Sequence, residues 1–149
     1  LAFRKVRHTI LRLIGDHYRR QRGAHRSWQG CDLDLTGVII DGPLNFHGAS
    51  FSGARVSFDG ATFSGGTVSF DDATFSGGRV SLGGATFSGG HVSFRRATFS
   101  GSNVDFEDAT FSGGGMSFSR AIGEAPRGLP LDNPPAEVGD IPAEWRVNP

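Results

Sequence analysis

The apolar positions of this chain repeat. From Leu33 onward, pairs of apolar residues separated by one intervening residue recur: Leu33/Leu35, Val38/Ile40, Leu44/Phe46, Ala49/Phe51, Val56/Phe58, and so on to Met116/Phe118. Side chains two apart in extended chain point the same way, so both members of a pair face a core and the residue between faces out. Phenylalanine holds one lattice in this pattern, in alternating steps of five and seven: Phe46, Phe51, Phe58, Phe63, Phe70, Phe75, Phe87, Phe94, Phe99, Phe106, Phe111 and Phe118. Leu82 fills the one slot that lacks it. These residues are the predicted core. A fixed 12-residue internal repeat predicts an all-β solenoid over residues 33–120.

Connections alternate between two residues (Asp59-Gly60, Asp71-Asp72) and four (Ser64-Gly65-Gly66-Thr67). Paired glycines at such corners predict positive φ, or a close approach that a Cβ would block, at Gly77 and Gly89 among others. Either 12 residues make a flat two-sided coil or 24 make a four-sided one. Facing Phe rings need the wider interior, which favours 24.

Residues 1–23 form a separate element. Phe3, Val6, Ile10, Leu13, Ile14 and His17 recur at helical spacing over 3–22, widened by Leu11 and Tyr18, with Arg4, Lys5, Arg12, Arg19 and Arg20 mostly opposite. Gly23 reads as the stop, and Gly15 as a weak point costing about 1 kcal/mol against Ala. One helix cannot bury such a stripe on itself, so it packs on the solenoid end or on a domain outside this chain. Residues 24–32 read as a linker or cap, with Trp28 and Leu33 closing the near end. Residues 121–149 lose the pattern. Pro126, Pro130, Pro134, Pro135, Pro142 and Pro149 disfavour regular structure there, while Ile141 and Trp145 are placed to close the far end.

Composition changes this picture little. Formal net charge is zero over 149 residues, yet residues 1–30 hold eight basic side chains and one acid, Asp16, and the remainder is acidic. Cys31 is alone, which excludes a disulfide framework and a Cys-based metal site. No apolar run reaches a membrane span, and no signal peptide is visible. The chain opens on Leu1 and its single Met is Met116, so we expect a fragment of a longer polypeptide. That expectation sets localisation as cytoplasmic, or membrane-anchored through a region absent here.

The units Ala61-Thr62-Phe63-Ser64-Gly65 and Ala109-Thr110-Phe111-Ser112-Gly113 resemble the A-x-(L/F)-x-x unit of pentapeptide-repeat proteins. Cys31 to Gly37 resembles the opening of such repeats. The chain is similar to a 12-residue, Phe-rich variant in actinobacterial proteins, in which a helical region often precedes the repeats. Val6 to Arg20 is similar to the last helix of that region. The resemblance covers residues 3–120 and implies a right-handed quadrilateral β-helix. Some members of the family mimic duplex DNA with an acidic surface and bind topoisomerases, and most have no known activity.

Candidate chemistry is sparse. His8, His17, His25, His47 and His91 fall in no metal-ligand spacing. The many Ser residues are repeat positions with no recurring His/Asp partner. Asp32 and Asp34 flank Leu33 in a spacing open to acid/base work but ordinary for a solvated strand. The Gly-rich corners lack the Lys-Ser/Thr ending of a phosphate loop. The outward Thr62, Thr74, Thr86, Thr98 and Thr110 form a ladder that resembles ice-binding solenoids, with plain β-branched surface positions as the simpler reading. Residues 31–120 carry nine acids against five Arg, with Arg95-Arg96 interrupting any acidic face.

The sequence thus predicts a non-enzymatic scaffold or protein-interaction module without cofactor, metal or small-molecule substrate. An acidic DNA-mimic modulator of a DNA-binding enzyme such as a topoisomerase is the alternative. Arg79, His91, Arg95, Arg96 and Asn103 are the predicted interaction surface. The partner is a protein of unknown identity, nucleic acid is not expected, and a homodimer is left open.

Overall fold

A computed structural model describes residues 2–19, 28, 31–53, 55–100, 103–132 and 134–146; the side chains of residues 2–4, 52, 103 and 146 lie outside that description. The predicted Gly23 stop and most of the 24–32 linker fall outside it as well. Helix α1 spans Ala2–Arg19. The chain then winds into a four-sided parallel β-solenoid, one short strand per side per coil.

The coil is 24 residues. Val56 pairs with Val80 and Phe75 with Phe99 in parallel register. Face one stacks Leu33–Asp34, Arg55–Ser57, Arg79–Ser81 and Asn103–Asp105. Face two stacks Ile39–Ile40, Thr62–Phe63, Thr86–Phe87 and Thr110–Phe111. Face three stacks Leu44–Asn45, Thr67–Ser69, His91–Ser93, Gly115–Ser117 and Val138–Gly139. Face four stacks Ser50–Ser52, Thr74–Ser76, Thr98–Ser100 and Ile122–Gly123.

Each face sends one column of large side chains inward. Face three is an unbroken stack: Phe46–Phe70, Phe70–Phe94 and Phe94–Phe118 lie with ring centroids 5.1, 4.8 and 5.0 Å apart, near parallel. Face four stacks Phe51 on Phe75 at 5.2 Å and Phe75 on Phe99 at 5.0 Å. Face two stacks Phe63 on Phe87 at 4.7 Å and Phe87 on Phe111 at 5.1 Å. Face one breaks, because Leu82 separates Phe58 from Phe106. The predicted core is buried except for Phe111, which is half-buried. Phe111 is the last rung of face two, and among the described residues no further strand pairs above it.

The two-residue corners share one local design. The carbonyl of Phe58 accepts the Ala61 N–H at 3.0 Å, and Gly60 between them has φ 66°. This is a type II turn, whose third residue must be left-handed. The side chain just before each ring ties the corner down. Asn45 Oδ1 accepts the His47 N–H at 2.9 Å, and Asp105 Oδ1 the Glu107 N–H at 2.9 Å. Asp72, Arg96, Asp108 and Arg120 hold the left-handed position despite carrying side chains, at φ of 57–61°. At the four-residue corners Gly77 is left-handed, φ 72°, while a Cβ on Gly89 would stand 2.5 Å from the Ser64 carbonyl oxygen.

Both ends are closed by aromatic rings. Tyr18 of α1 lies over Phe46 and Phe51, with centroids 5.6 and 5.7 Å away, and its hydroxyl donates to the Cys31 carbonyl at 2.7 Å. Burial, together with Cys31 and Asp32 nearby, pushes the phenol above its ordinary range, so it stays neutral. At the other end Trp145 meets Phe99 and Phe118 edge-on at 5.6 and 5.3 Å and donates from Nε1 to the Gly123 carbonyl at 2.8 Å. Ile141 is half-buried against the core.

The first coil makes room for the helix. Ile40 pairs with Phe63 but Leu44 with Val68, so the corner Asp41-Gly42-Pro43 is one residue shorter than its counterpart in the next coil. A Cβ on Gly42 would stand 2.6 Å from the His8 ring, and one on Gly15 would stand 2.6 Å from the Asn45 carbonyl oxygen. Gly15, expected as a weak point, is therefore where the helix touches the solenoid backbone. Asp41 accepts from Arg7 Nε at 3.0 Å and Nη2 at 2.5 Å, with His8 Nε2 at 3.1 Å. The Arg7 hydrogen bonds, and after them those of His8, hold its carboxyl well below the usual range.

Four outcomes follow from these contacts. Phe94→Ala removes a ring between Phe70 and Phe118 and should cost about 3–5 kcal/mol. Thr98→Ala on the outer surface should cost less than about 1 kcal/mol by denaturant titration. Arg120→Gly relieves a left-handed Arg and should raise stability by about 0.5–1 kcal/mol in the same measurement. Asp41→Asn should lower the melting temperature near neutral pH. Because the folded carboxyl titrates far below the unfolded one, the stability it adds begins to be lost as pH falls below about 4, and the gap between wild type and variant should shrink progressively from there toward stronger acid.

Candidate functional site

A 24-residue coil sorts the predicted surface residues onto different sides. Successive 12-residue repeats land on opposite faces. Arg79 starts a strand of face one and His91 a strand of face three. Arg95 and Arg96 form the corner between faces three and four. Asn103 lies on face one, but its side chain is outside the described residues. The predicted patch is therefore not one surface. His91 and Arg95-Arg96 bound face three at its two ends, and Arg79 is across the solenoid from them.

The Thr ladder divides in the same way. Thr62, Thr86 and Thr110 run up face two, and Thr74 and Thr98 run up face four between Ser50 and Ile122. Two short ladders on opposite sides do not make the broad, flat Thr array that the ice-binding reading requires.

The corner between faces three and four carries the densest polar chemistry. Asp72 Oδ2 accepts from Arg96 Nη2 at 2.9 Å and pairs with His47 Nε2 at 3.1 Å. The Arg96 hydrogen bond, then Arg96 and His47 charge, lowers the Asp72 carboxyl from its ordinary value. Asp71 Oδ1 accepts from the Ser93 hydroxyl and from the Arg95 N–H, the latter at 3.1 Å. On the corner between faces one and two, Asp59 Oδ1 accepts from the Ser81 hydroxyl and from the Gly83 N–H at 3.0 Å. These acids hold neighbouring coils in register.

Face one opens a shallow cleft of about 460 Å³ lined in part by Asp32, Asp34, Arg55, Asp59 and Arg79. Arg55 and Arg79 stand on adjacent rungs in register. Asp32 Oδ1 accepts the Arg55 N–H at 3.0 Å, and Asp34 Oδ1 accepts the Thr36 N–H at 3.0 Å. The Thr36 hydrogen bonds lower the Asp34 carboxyl. Each of the two aspartates has one oxygen engaged by a backbone N–H. Among the described residues no three His, Cys, Asp or Glu side chains gather where a metal could sit.

The residues missed by sequence reasoning lie on α1. Leu11, Ile14 and Tyr18 are buried on the solenoid, but Val6, Ile10 and Leu13 face solvent. The apolar arc was assigned as one buried stripe, and it is two edges of one helix. The arc's width, greater than one contact face needs, was the signal. Trp28 is exposed as well and stacks on His17 with centroids 4.1 Å apart. No described helix is long and apolar enough to cross a membrane.

Residues 28–74 and 46–97 match a protein-family profile described as pentapeptide repeats (9 copies). No curated protein matches the chain. Among solved structures, two trypsin-treated variants of QnrB1, a plasmid-mediated fluoroquinolone resistance protein, align at 16% identity. The alignments cover 62% of this chain and 69% and 70% of those chains, with TM-scores of 0.14 and 0.15, too low to transfer any property. The matched residues wind into the four-sided coils and supply Phe46 to Phe94 of their columns, and over this span the chain is a pentapeptide-repeat protein.

Proposed function

We propose that this chain is a non-enzymatic scaffold that acts through protein contact along the outside of its solenoid. One observation carries this reading. The interior is filled by stacked rings from one cap to the other, and the corner acids are committed to holding coils together. What is left for function is the outer surface, flat and rigid, offering similar side chains at every rung. A catalytic site needs a unique, preorganised group of side chains. A repeating surface suits extended contact spread over several coils.

The acidic-mimic reading needs an unbroken acidic face. Arg55 and Arg79 interrupt face one, and Arg96 bonds to Asp72 at the edge of face three. The mixed pattern favours an ordinary protein partner over mimicry of nucleic acid.

One coil supplies the test. Arg79, Thr86, His91 and Thr98 begin strands on faces one to four in turn. A photo-crosslinking residue placed at each position in turn, in cells that make the protein natively, should trap the same partner from one face or two adjacent faces. Crosslinking without preference among the four, or turnover of generic hydrolase substrates by the purified chain, would overturn the reading.

A further inference from the structure

The corner between faces three and four keeps one backbone shape and changes its side chains. Its third residue is left-handed at Gly48, Asp72, Arg96 and Arg120, with φ of 70°, 59°, 57° and 59°. The matching corner between faces one and two uses Gly37, Gly60 and Gly84 before Asp108. Glycine meets no steric penalty there, and Asp tolerates the position because its short side chain bonds locally. Arg has neither advantage. Arg96 is offset by its ion pair with Asp72, 2.9 Å away. Arg120 is exposed and makes no ion pair among the described residues. The same corner stacks like charge. The Arg96 N–H donates to the Ser119 carbonyl at 2.8 Å, which sets the two corners in register and places Arg120 one rung above Arg96, about 4.8 Å along the ladder. Arg95, exposed beside Arg96, makes no ion pair among the described residues either. Like charges directly opposite in a ladder repel. The nearby acids are Asp71 and Asp72 on the rung below and Asp140, which accepts from the Ser117 hydroxyl at 3.1 Å. Of these, Asp72 alone accepts from a guanidinium. Strain and repulsion thus sit together at one exposed place, and at Arg120 no described contact inside the molecule offsets them. Such outliers persist where a function holds them.

We propose that Arg95, Arg96 and Arg120 anchor a carboxylate-bearing segment of a partner protein. The proposal rests on the scaffold reading and gives it an edge and a chemistry. Asp72 shows the form of the contact, since it stands one rung below Arg96 in the same column and accepts from its guanidinium. One rung above Arg96 the column holds Arg120 in place of a second acid, so the next carboxylate comes from outside the chain. Planar guanidinium forks suit carboxylates, which they can hold by two parallel hydrogen bonds. Shape argues against a small free anion. The corner is a ridge, and the clefts on face one and beside α1 are lined by other residues. A carboxylate held here therefore arrives on a larger body. Extent argues against nucleic acid. A duplex is bound by neutralising a run of phosphates, whereas these cations occupy two rungs and Asp71 and Asp72 stand on the rung below.

The test uses the full chain and a fluorescein-labelled synthetic peptide that carries a run of Glu between Gly-Ser flanks, read by anisotropy. Binding should saturate and should weaken with added salt. Gln in place of Glu should weaken it at least about tenfold. Arg120→Gly should weaken it at least about threefold while the protein melts no lower than wild type, because the substitution removes the left-handed Arg together with its charge. Arg95→Gln should weaken it by a similar factor, and it decides if Arg120→Gly fails to fold. Arg55→Gln, on face one, should leave binding unchanged. Absence of saturable binding, equal binding of the Glu and Gln peptides, or an Arg55→Gln loss as large as that of Arg120→Gly overturns the proposal. So does tighter binding of a DNA duplex of about twelve base pairs, or of the peptide with phosphoserine in place of Glu, where Arg120→Gly weakens it, because the edge would then be a phosphate site. Self-association of the chain that Arg120→Gly abolishes would assign the edge to a second copy and also overturn it. If crosslinks form at Arg79 or Thr86 while the Glu peptide does not bind, this proposal fails and the scaffold reading stands.

Discussion

The spacing of hydrogen-bonded strands and the spacing of stacked phenyl rings coincide in this protein, and the rest of its architecture follows. Parallel strands in a ladder sit about 4.8 Å apart. The Phe70–Phe94 and Phe63–Phe87 centroids are 4.8 and 4.7 Å apart. A ring at the same place in every coil therefore falls into contact with the ring above whenever the backbone pairs. Each large aromatic side chain buries much apolar area, and its ring contacts add to that. The stack has no natural end, so Tyr18 and Trp145 supply terminal rings that no strand provides.

This constraint also decides what the surface can do. Among the described residues the interior is filled with packed apolar side chains. Holding four sides at fixed register requires corners that recur from coil to coil, and the two-residue corners use up much of the polar chemistry. Asp59 and Asp71 each bridge to the coil above, and Asp34 and Asp105 each tie down the turn that follows. Variation is left to outward positions and to the helix, which is why the functional proposals rest on shape and charge pattern.

Much of this was legible in the residues. The inward pairs, the Phe lattice and Leu82 as its substitute follow from period alone, and the closing role of Trp145 from the need to cover an open end. The four-sided coil followed from the room that rings require. The partition of the surface was harder to read, because sequence neighbours at 12-residue spacing become residents of opposite faces; this is why Arg79 and His91, or Thr74 and Thr86, read as one surface and are not. Helix α1 misled for a different reason. Helical spacing shows which residues share an arc but not which edge of a wide arc meets the partner. The docked edge was set by Gly15 and by the shortened Asp41-Gly42-Pro43 corner, contacts between elements 26 or more residues apart that no local pattern encodes.

The most direct test of the central claim is the distance between outward positions one and two repeats apart. Nitroxide labels can be attached to cysteines replacing Thr74 and Thr98 in one protein and Thr74 and Thr86 in another, with Cys31 replaced by Ser in both. Continuous-wave electron paramagnetic resonance then reports on separation. The four-sided coil predicts strong dipolar broadening for the 74/98 pair, whose backbones lie one strand spacing apart, about 5 Å. It predicts none for the 74/86 pair, on opposite faces. Broadening in the 74/86 pair would mean that each coil closes after 12 residues, and the stacked-ring account of this fold would be wrong.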